Sequence, residues 1–196
     1  MPDAIGPHYN LAKVYEIQQD YQNALKEYSK VIELKPGILD AYVAAGEIYS
    51  RIGEVNKGIE ILKEAIDVDP ESIEARYNLA TFYFKVKNYK DAVLQCEKVI
   101  EWNPGFTPAS ILIGTTYYHQ KVYDKAAEAY QRVLTKNPDS EEVHHLLGTL
   151  YRAQKKYKDA IKEYKTVLRI NPANSDARNS IEDLKVLEKL TSLTGD

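Results

Sequence analysis

Between Glu141 and Asn174 apolar residues recur with the spacing of two amphipathic helices separated by a short polar turn. The stretch reads EEVHHLLGTLYRAQKKYKDAIKEYKTVLRINPAN. Leu147, Gly148 and Tyr151 mark its first half, Ala160 and Tyr164 its second, and Pro172 stands near its end. Counting back from Pro172 in steps of 34 residues lands on Pro138, Pro104, Pro70 and Pro36. Self-similarity at a fixed period of this length is the signature of a helical array, in which each two-helix unit buries its apolar face against its neighbours.

With the proline at position 32, the units run over residues 5–38, 39–72, 73–106, 107–140 and 141–174, after a leader at 1–4. Position 8 is always small (Ala12, Gly46, Ala80, Gly114, Gly148), and so is position 20 (Ala24, Gly58, Ala92, Ala126, Ala160). The two helices can therefore approach closely at these points. Position 11 is always tyrosine (Tyr15, Tyr49, Tyr83, Tyr117, Tyr151), an apolar ring for the space between hairpins with a hydroxyl that can reach a polar partner. Positions 7, 8, 11, 20, 24, 27 and 32 together resemble the tetratricopeptide repeat family. Position 4, where that family carries tryptophan, holds His8, Tyr42, Arg76, Ser110 and His144 instead. The resemblance implies an all-α fold, a right-handed superhelical solenoid of five helix-turn-helix repeats.

Residues 175–190 continue a helical pattern, with Ala177, Ile181, Leu184 and Leu187 on one stripe. Glu182 and Lys185 occupy the positions that are small and tyrosine in the repeats, so this helix is expected to cap the array, with a frayed tail at 191–196. The first helix is expected to begin at Pro7, after Gly6. Thr107 is expected to cap a helix that starts at Pro108, and Ser140 to cap the next, ahead of Glu141 and Glu142. The second repeat contains Gly53 in its turn and Gly58 in its second helix.

Composition narrows the picture. The chain has 196 residues, but a repeat array has no single core and grows by stacking, so one elongated domain is expected. A net charge of −3 argues against a general polyanion binder. The charge is uneven, because repeat 2 carries eight acidic and three basic residues and repeat 5 four acidic and seven basic. The lone Cys96 excludes an intrachain disulfide framework and fits a reducing compartment such as the cytoplasm. No apolar run is long enough for a transmembrane helix, so any membrane association would go through partners.

In tetratricopeptide proteins the first helix of each hairpin lines the concave face, and the resemblance implies that positions 2, 5, 6, 9, 12 and 13 point into it. Carried onto this chain, they give Tyr9, Asn10, Lys13 and Glu16 in repeat 1 and Asp40, Val43, Glu47, Ser50 and Arg51 in repeat 2. Repeat 3 gives Glu74, Tyr77, Asn78, Thr81, Phe84 and Lys85; repeat 4 gives Ile111, Leu112, Thr115, Tyr118 and His119; repeat 5 gives His145, Leu146, Thr149 and Arg152. Thirteen of the sixteen tyrosines fall on scaffold positions, which leaves Tyr9, Tyr77 and Tyr118 in the groove. The later repeats therefore offer an apolar, aromatic surface for an amphipathic helix or extended peptide of a partner protein. An alternative is a self-assembling scaffold, acidic repeat 2 against basic repeat 5, that organises a larger complex or coats an organelle in the manner of magnetosome-type tetratricopeptide proteins.

Other chemistry finds no support in these residues. The two-carboxylate clamp that relatives use for chaperone tails would need cations and amides where Tyr9, Ala44 and Glu74 stand. His144 and His145 point about 100° apart on a helix, and His119 and His145 lie at levels roughly 12 Å apart, so no metal centre is expected. There is no phosphate-binding glycine loop, H-E-x-x-H or G-x-S-x-G, and the expectation is a non-enzymatic protein without a cofactor. Nucleic acid is not an expected partner, since the lysines of repeat 5 lie on its turn and second helix, away from the groove where helical repeats read RNA.

Overall fold

The computed structural model describes residues 4–194, with side chains described to residue 190. Among the described residues there are eleven helices and no strand. They are α1 (Ile5–Ile17), α2 (Tyr21–Leu34), α3 (Leu39–Arg51), α4 (Val55–Val68), α5 (Ile73–Lys85), α6 (Tyr89–Trp102), α7 (Thr107–His119), α8 (Tyr123–Leu134), α9 (Glu141–Ala153), α10 (Tyr157–Ile170) and α11 (Ser175–Thr194). The odd-numbered helices start every 34 residues from Ile5 to Ser175, and the even-numbered ones every 34 from Tyr21 to Tyr157. The fold is an all-α helical repeat. Contacts divide the chain into two compact units, Met1–Ala109 and Ser110–Asp196.

Two recurrent turns enforce the period. Within each hairpin the chain reverses through a residue of positive φ at position 15: Gln19, Gly53, Lys87, Lys121 and Lys155. The following N–H bonds back to the carbonyl of the position 11 tyrosine, as in Asp20 to Tyr15 at 2.9 Å and Lys156 to Tyr151 at 2.9 Å. This is a Schellman closure, in which a left-handed residue satisfies the last carbonyls of a helix. Only Gly53 adopts that conformation without steric cost. Between hairpins, the proline occupies the second place of a four-residue turn closed by bonds such as Ile38 N–H to Lys35 O and Asn174 N–H to Asn171 O. Its fixed φ suits that place.

The small residues at position 8 let the two helices of a hairpin meet. A Cβ built on Gly46 would sit 3.1 Å from Leu62, and one on Gly148 would sit 2.9 Å from the Tyr164 ring. The Tyr130 ring fills the same space beside Gly114. Gly58 has a different neighbour, because Phe82 of the next repeat occupies the space its side chain would need. Cys96, at the position that holds tyrosine in three other repeats, is fully buried, and burial pushes its thiol up to about 12. Leu11 is 40% exposed whereas Leu79 and Leu147, at the same repeat position, are 3% and 2% exposed, because no described helix packs on that side of α1.

Position 4 forms a polar latch that pattern alone did not reveal. Nδ1 of His8 and Nδ1 of His144 lie 2.6 Å from carboxylate oxygens of Glu27 and Glu163, and Arg76 donates to Gln95 at 2.9 Å. All three partners stand 19 residues on, at position 23, where Tyr42 and Ser110 have Ile61 and Ala129. Arg76, His144 and Arg178 also reach back six residues to the carbonyls of Pro70, Pro138 and Pro172, at 2.8, 2.9 and 2.7 Å. A latch of this kind ties a hairpin to the turn that precedes it. Arg76 is 8% exposed, meets only neutral acceptors, and has its guanidinium 4.8 Å from the centre of the Trp102 ring. Burial lowers its pKa.

Several boundaries differ from expectation. α1 starts at Ile5 rather than Pro7, since Gly6 and Pro7 fall in the first turn, where backbone N–H groups lack helical partners in any case. Thr107 is the first residue of α7 rather than its cap. Ser140 does cap α9, accepting from Val143 N–H at 3.4 Å. α11 continues to Thr194, beyond the expected end at 190, because no proline or glycine interrupts the chain before Gly195. Residues 195 and 196 of the expected tail, and 1–3 of the leader, lie outside the described residues.

Gln95→Glu should give Arg76 the carboxylate that Glu27 and Glu163 supply elsewhere, a gain of about 1 kcal/mol that thermal unfolding would register as a rise of a few degrees. Gly148→Ala should cost about 1–3 kcal/mol by forcing the Tyr164 ring aside, read in the same way.

Candidate functional site

In the first unit, α3 and α5 pack side by side at equivalent points of successive repeats and place their polar faces together. Glu47, Ser50, Arg51, Asn78, Thr81, Phe82 and Lys85 line a cleft of about 280 Å³. Six of these, Glu47, Ser50, Arg51, Asn78, Thr81 and Lys85, are groove residues expected from the repeat register. The Lys85 ammonium donates to the Ser50 hydroxyl and lies 5.6 Å from the Phe82 ring centre. Arg51 approaches the Glu16 carboxylate at 3.9 Å. Two cations, one carboxylate, an amide and two hydroxyls make this a polar surface suited to charged or hydrogen-bonding ligand groups.

The remaining expected residues of this unit are more occupied. Tyr9 packs edge-on against the buried Tyr28 ring at 5.8 Å, with Lys13 4.8 Å from the Tyr9 ring centre, while Asn10 is exposed. Tyr77 packs against Phe106 at 5.1 Å and Phe84 against Tyr89 at 5.9 Å. Val43 is not a groove residue. It is 6% exposed and belongs to a core cluster with Leu62, Leu79 and Phe82, because its β-branched side chain fills the space between α3 and the helices that follow.

In the second unit the first helices present an apolar face. Ile111 and Tyr118 of α7 and Leu146 of α9 are half-buried and pack on one core cluster that includes Tyr130, Val143, Leu147 and Leu150. Leu112 is also half-buried, whereas His119 and Arg152 are exposed. Tyr118 rests against His119 at 5.8 Å and Tyr123 at 6.0 Å. Thr115 and Thr149 have structural work: their hydroxyls lie 3.2 and 3.1 Å from those of Tyr130 and Tyr164. Thr149 donates to the His145 carbonyl at 3.1 Å, so the Tyr164 hydroxyl donates to Thr149.

Beside this face Glu141, Glu142, His145, Leu146, Asn174 and Asp176 line a cleft of about 460 Å³. His145 packs edge-on against Tyr164 at 5.4 Å. Glu141, Asn174 and Asp176 are not among the expected groove residues because residues at helix starts read as caps and dipole partners, and Glu142 is not among them although it stands at position 2, a groove position. Asn174 does cap, accepting from Ala177 N–H at 2.8 Å. Its amide also donates to Glu141 at 2.8 Å, as does that of Asn171 at 2.9 Å, and the bonds from Asn174 and Asn171 hold the Glu141 carboxyl below its ordinary range. Among the described residues no three histidine, cysteine, aspartate or glutamate side chains converge as metal ligands would. No described helix is long and apolar enough to cross a membrane.

The family model described as "Anaphase-promoting complex, cyclosome, subunit 3" matches residues 17–99 and again 87–167, two windows about two repeat periods apart. The chain belongs to this tetratricopeptide repeat family. Among solved structures the array resembles the MamA protein, with 24% identity and a TM-score of 0.77 over 90% of this chain and 96% of that one. It also resembles YrrB, described as a tetratricopeptide repeat protein with an unusual peptide-binding site, with 20% identity and a TM-score of 0.72 over 92% and 93%. These likenesses concern the fold. A stretch of 51 residues is 37% identical to a UDP-N-acetylglucosamine–peptide N-acetylglucosaminyltransferase of Giardia intestinalis (strain ATCC 50803 / WB clone C6). That match spans 26% of the array and about 3% of the length of that relative.

The bonds from Asn171 and Asn174 to Glu141 tie the start of α9 to the start of α11. Because the Glu141 pKa is lowered on folding, its contribution is present above about pH 4.5 and is lost as pH falls through the folded value. Glu141→Gln should therefore be less stable than the parent at neutral pH, and thermal unfolding against pH should show the two curves converge on the acid side.

Proposed function

We propose that this tetratricopeptide array is a non-catalytic protein-interaction scaffold that captures an amphipathic helix or extended peptide on the first-helix face of its second unit. The observation that carries the reading is the convergence of Ile111, Tyr118 and Leu146 on one core cluster, with their outer surfaces half-exposed. Large, half-buried side chains are held in place by the core beneath them, so a ligand meets an ordered apolar surface at low entropic cost. The adjoining cleft supplies specificity, since Glu142 and Asp176 stand beside Leu146 with exposed carboxylates. A partner segment that places apolar residues on Tyr118 and Leu146 and a basic residue in the cleft fits both features. YrrB supplies a precedent for a peptide site on this fold. The polar cleft of Glu47, Arg51, Asn78 and Lys85 is a second contact region, for charged groups of the same partner or another.

Peptides selected against the chain from a displayed random library should be rich in apolar and basic residues. The Tyr118→Ser, Leu146→Ser double variant should bind them at least about tenfold more weakly, which corresponds to about 1.4 kcal/mol, with an unchanged circular dichroism spectrum. Equal affinity for parent and variant would refute the proposed surface.

A further inference from the structure

The outer faces of α4 and α10 carry charge patterns that mirror one another. On α10, Lys158, Lys162, Lys165 and Arg169 follow one another at intervals of four, three and four residues, the spacing of a single helical stripe. All four are exposed, and with Ile161 and Thr166 they line a cleft of about 360 Å³. Arg169 bonds Asp139 at 2.7 Å and Lys158 only approaches Glu188 at 3.9 Å, while among the described residues Lys162 and Lys165 make no ion pair. On α4 and the turn after it, Glu60, Glu64, Asp67 and Glu71 repeat the intervals of four, three and four. These four are likewise exposed, and among the described residues none makes an ion pair. Lys63 is the one cation between Glu60 and Glu71.

The α10 stripe spans eleven residues from first to last charge, roughly 16 Å of helical rise, whereas on α4 Glu60, Glu64 and Asp67 span roughly 10 Å, with Glu71 beyond Pro70 in the following turn. The intervals of four and three on α4 match Lys158, Lys162 and Lys165 read forwards and Arg169, Lys165 and Lys162 read backwards, so either polarity of contact sets charges opposite one another. A charged outer face is by itself an ordinary solvated surface. Here Lys162 and Lys165 on one face and Glu60, Glu64 and Asp67 on the other hold charge of opposite sign with no ion pair among the described residues, and the partner that carries the complement of each is another copy of the chain. The net charge of −3 disfavours a polyanion by comparison, since it would meet the acidic first unit as well as the basic stripe.

We propose that copies of this chain associate through these stripes, α4 of one copy against α10 of the next. The contact uses the outer faces and is independent of the peptide surface around Tyr118 and Leu146. Exposed ion pairs are individually weak and screened by salt, so the association is reversible and sensitive to ionic strength. Because each copy holds one stripe of either sign, the contact either closes reciprocally or repeats from copy to copy.

Sedimentation velocity of the full chain over a range of concentrations, at about 50 mM and about 500 mM NaCl, tests this, since the Debye length falls about threefold between the two. Self-association is expected at low salt and should weaken at least about tenfold at high salt. Lys162→Glu with Lys165→Glu should leave a monomer, and so should Glu60→Lys with Glu64→Lys. An equimolar mixture of these two variants should associate again, because each then presents the complement of the other. The Tyr118→Ser, Leu146→Ser variant should associate as the parent does. A parent that stays monomeric at every concentration in low salt overturns the proposal, as does association that both charge reversals leave intact. A parent that is monomeric yet binds phosphatidylserine vesicles through α10 overturns it in favour of an anionic lipid surface.

Discussion

In three of the five hairpins a glycine of the first helix faces a bulky side chain of the second: Gly46 faces Leu62, Gly114 faces Tyr130 and Gly148 faces Tyr164. Much else in the hairpin depends on that close approach. It sets where the tyrosine hydroxyl emerges, and in repeats 4 and 5 the hydroxyl then meets Thr115 or Thr149 on the first helix. Repeat 1 answers the same geometry differently, with Tyr28 donating to Glu16 at 3.2 Å. In repeat 3 the pair shrinks to Ala80 and Cys96, both fully buried, and the hydroxyl contact is absent altogether. A steric requirement at two positions thus propagates into the chemistry of the inner face, because each solution commits or releases the polar group at position 9.

The same logic separates the two candidate surfaces. In the first unit the inner helices contribute charge and amide groups, and Lys85 and Arg51 share a cleft with Glu47. In the second unit the position 9 threonines are consumed by the scaffold, and what remains at the surface is apolar: Ile111, Tyr118 and Leu146. Repeats with one backbone geometry therefore display different chemistry, without any change in the turns that build them. The five Schellman closures tolerate Gln19, Lys87, Lys121 and Lys155 in a left-handed conformation that only Gly53 adopts freely. That cost is borne where the chain must reverse within three residues.

Polar groups in the interior follow a second rule, which is local satisfaction, with or without an ion pair. Arg76 is buried against Pro70, Gln95 and the face of Trp102, and Glu27 is buried between His8 and Lys30. The hydrogen bonds from Lys30 and His8 keep the Glu27 carboxyl below its ordinary range. These latches use position 4, where the family places an apolar indole, and they connect a hairpin to its own second helix and, at Arg76, His144 and Arg178, to the preceding turn. The outer faces remain free of such constraints. That is why α4 and α10 can carry charge stripes of opposite sign on one scaffold.

The 34-residue recurrence by itself determined the helical repeat: how many hairpins there are, how they are spaced, and that a proline stands between them. These follow from local conformational preference and a fixed offset, both of which are written along the chain. The capping serine at 140 and the small residues at positions 8 and 20 were legible for the same reason, although Ser72, which caps α5 by accepting from Ala75 N–H at 3.3 Å, was not among the expected caps. The roles of individual inner-face residues were decided by the tertiary structure. Val43 and Glu47 sit on one helix and were assigned to one face, yet Val43 is core and Glu47 lines a cleft. His8 and His144 read as substitutes for tryptophan, yet each finds a glutamate 19 residues away. Glu141 read as a helix-dipole partner, yet it is the acceptor that joins α9 to α11 through two asparagines. Periodicity specifies the direction of a Cβ along its own helix, whereas a contact depends on the length of the side chain, the closeness of the neighbouring helix and the group that waits there. Those three quantities exist only once the hairpins have closed.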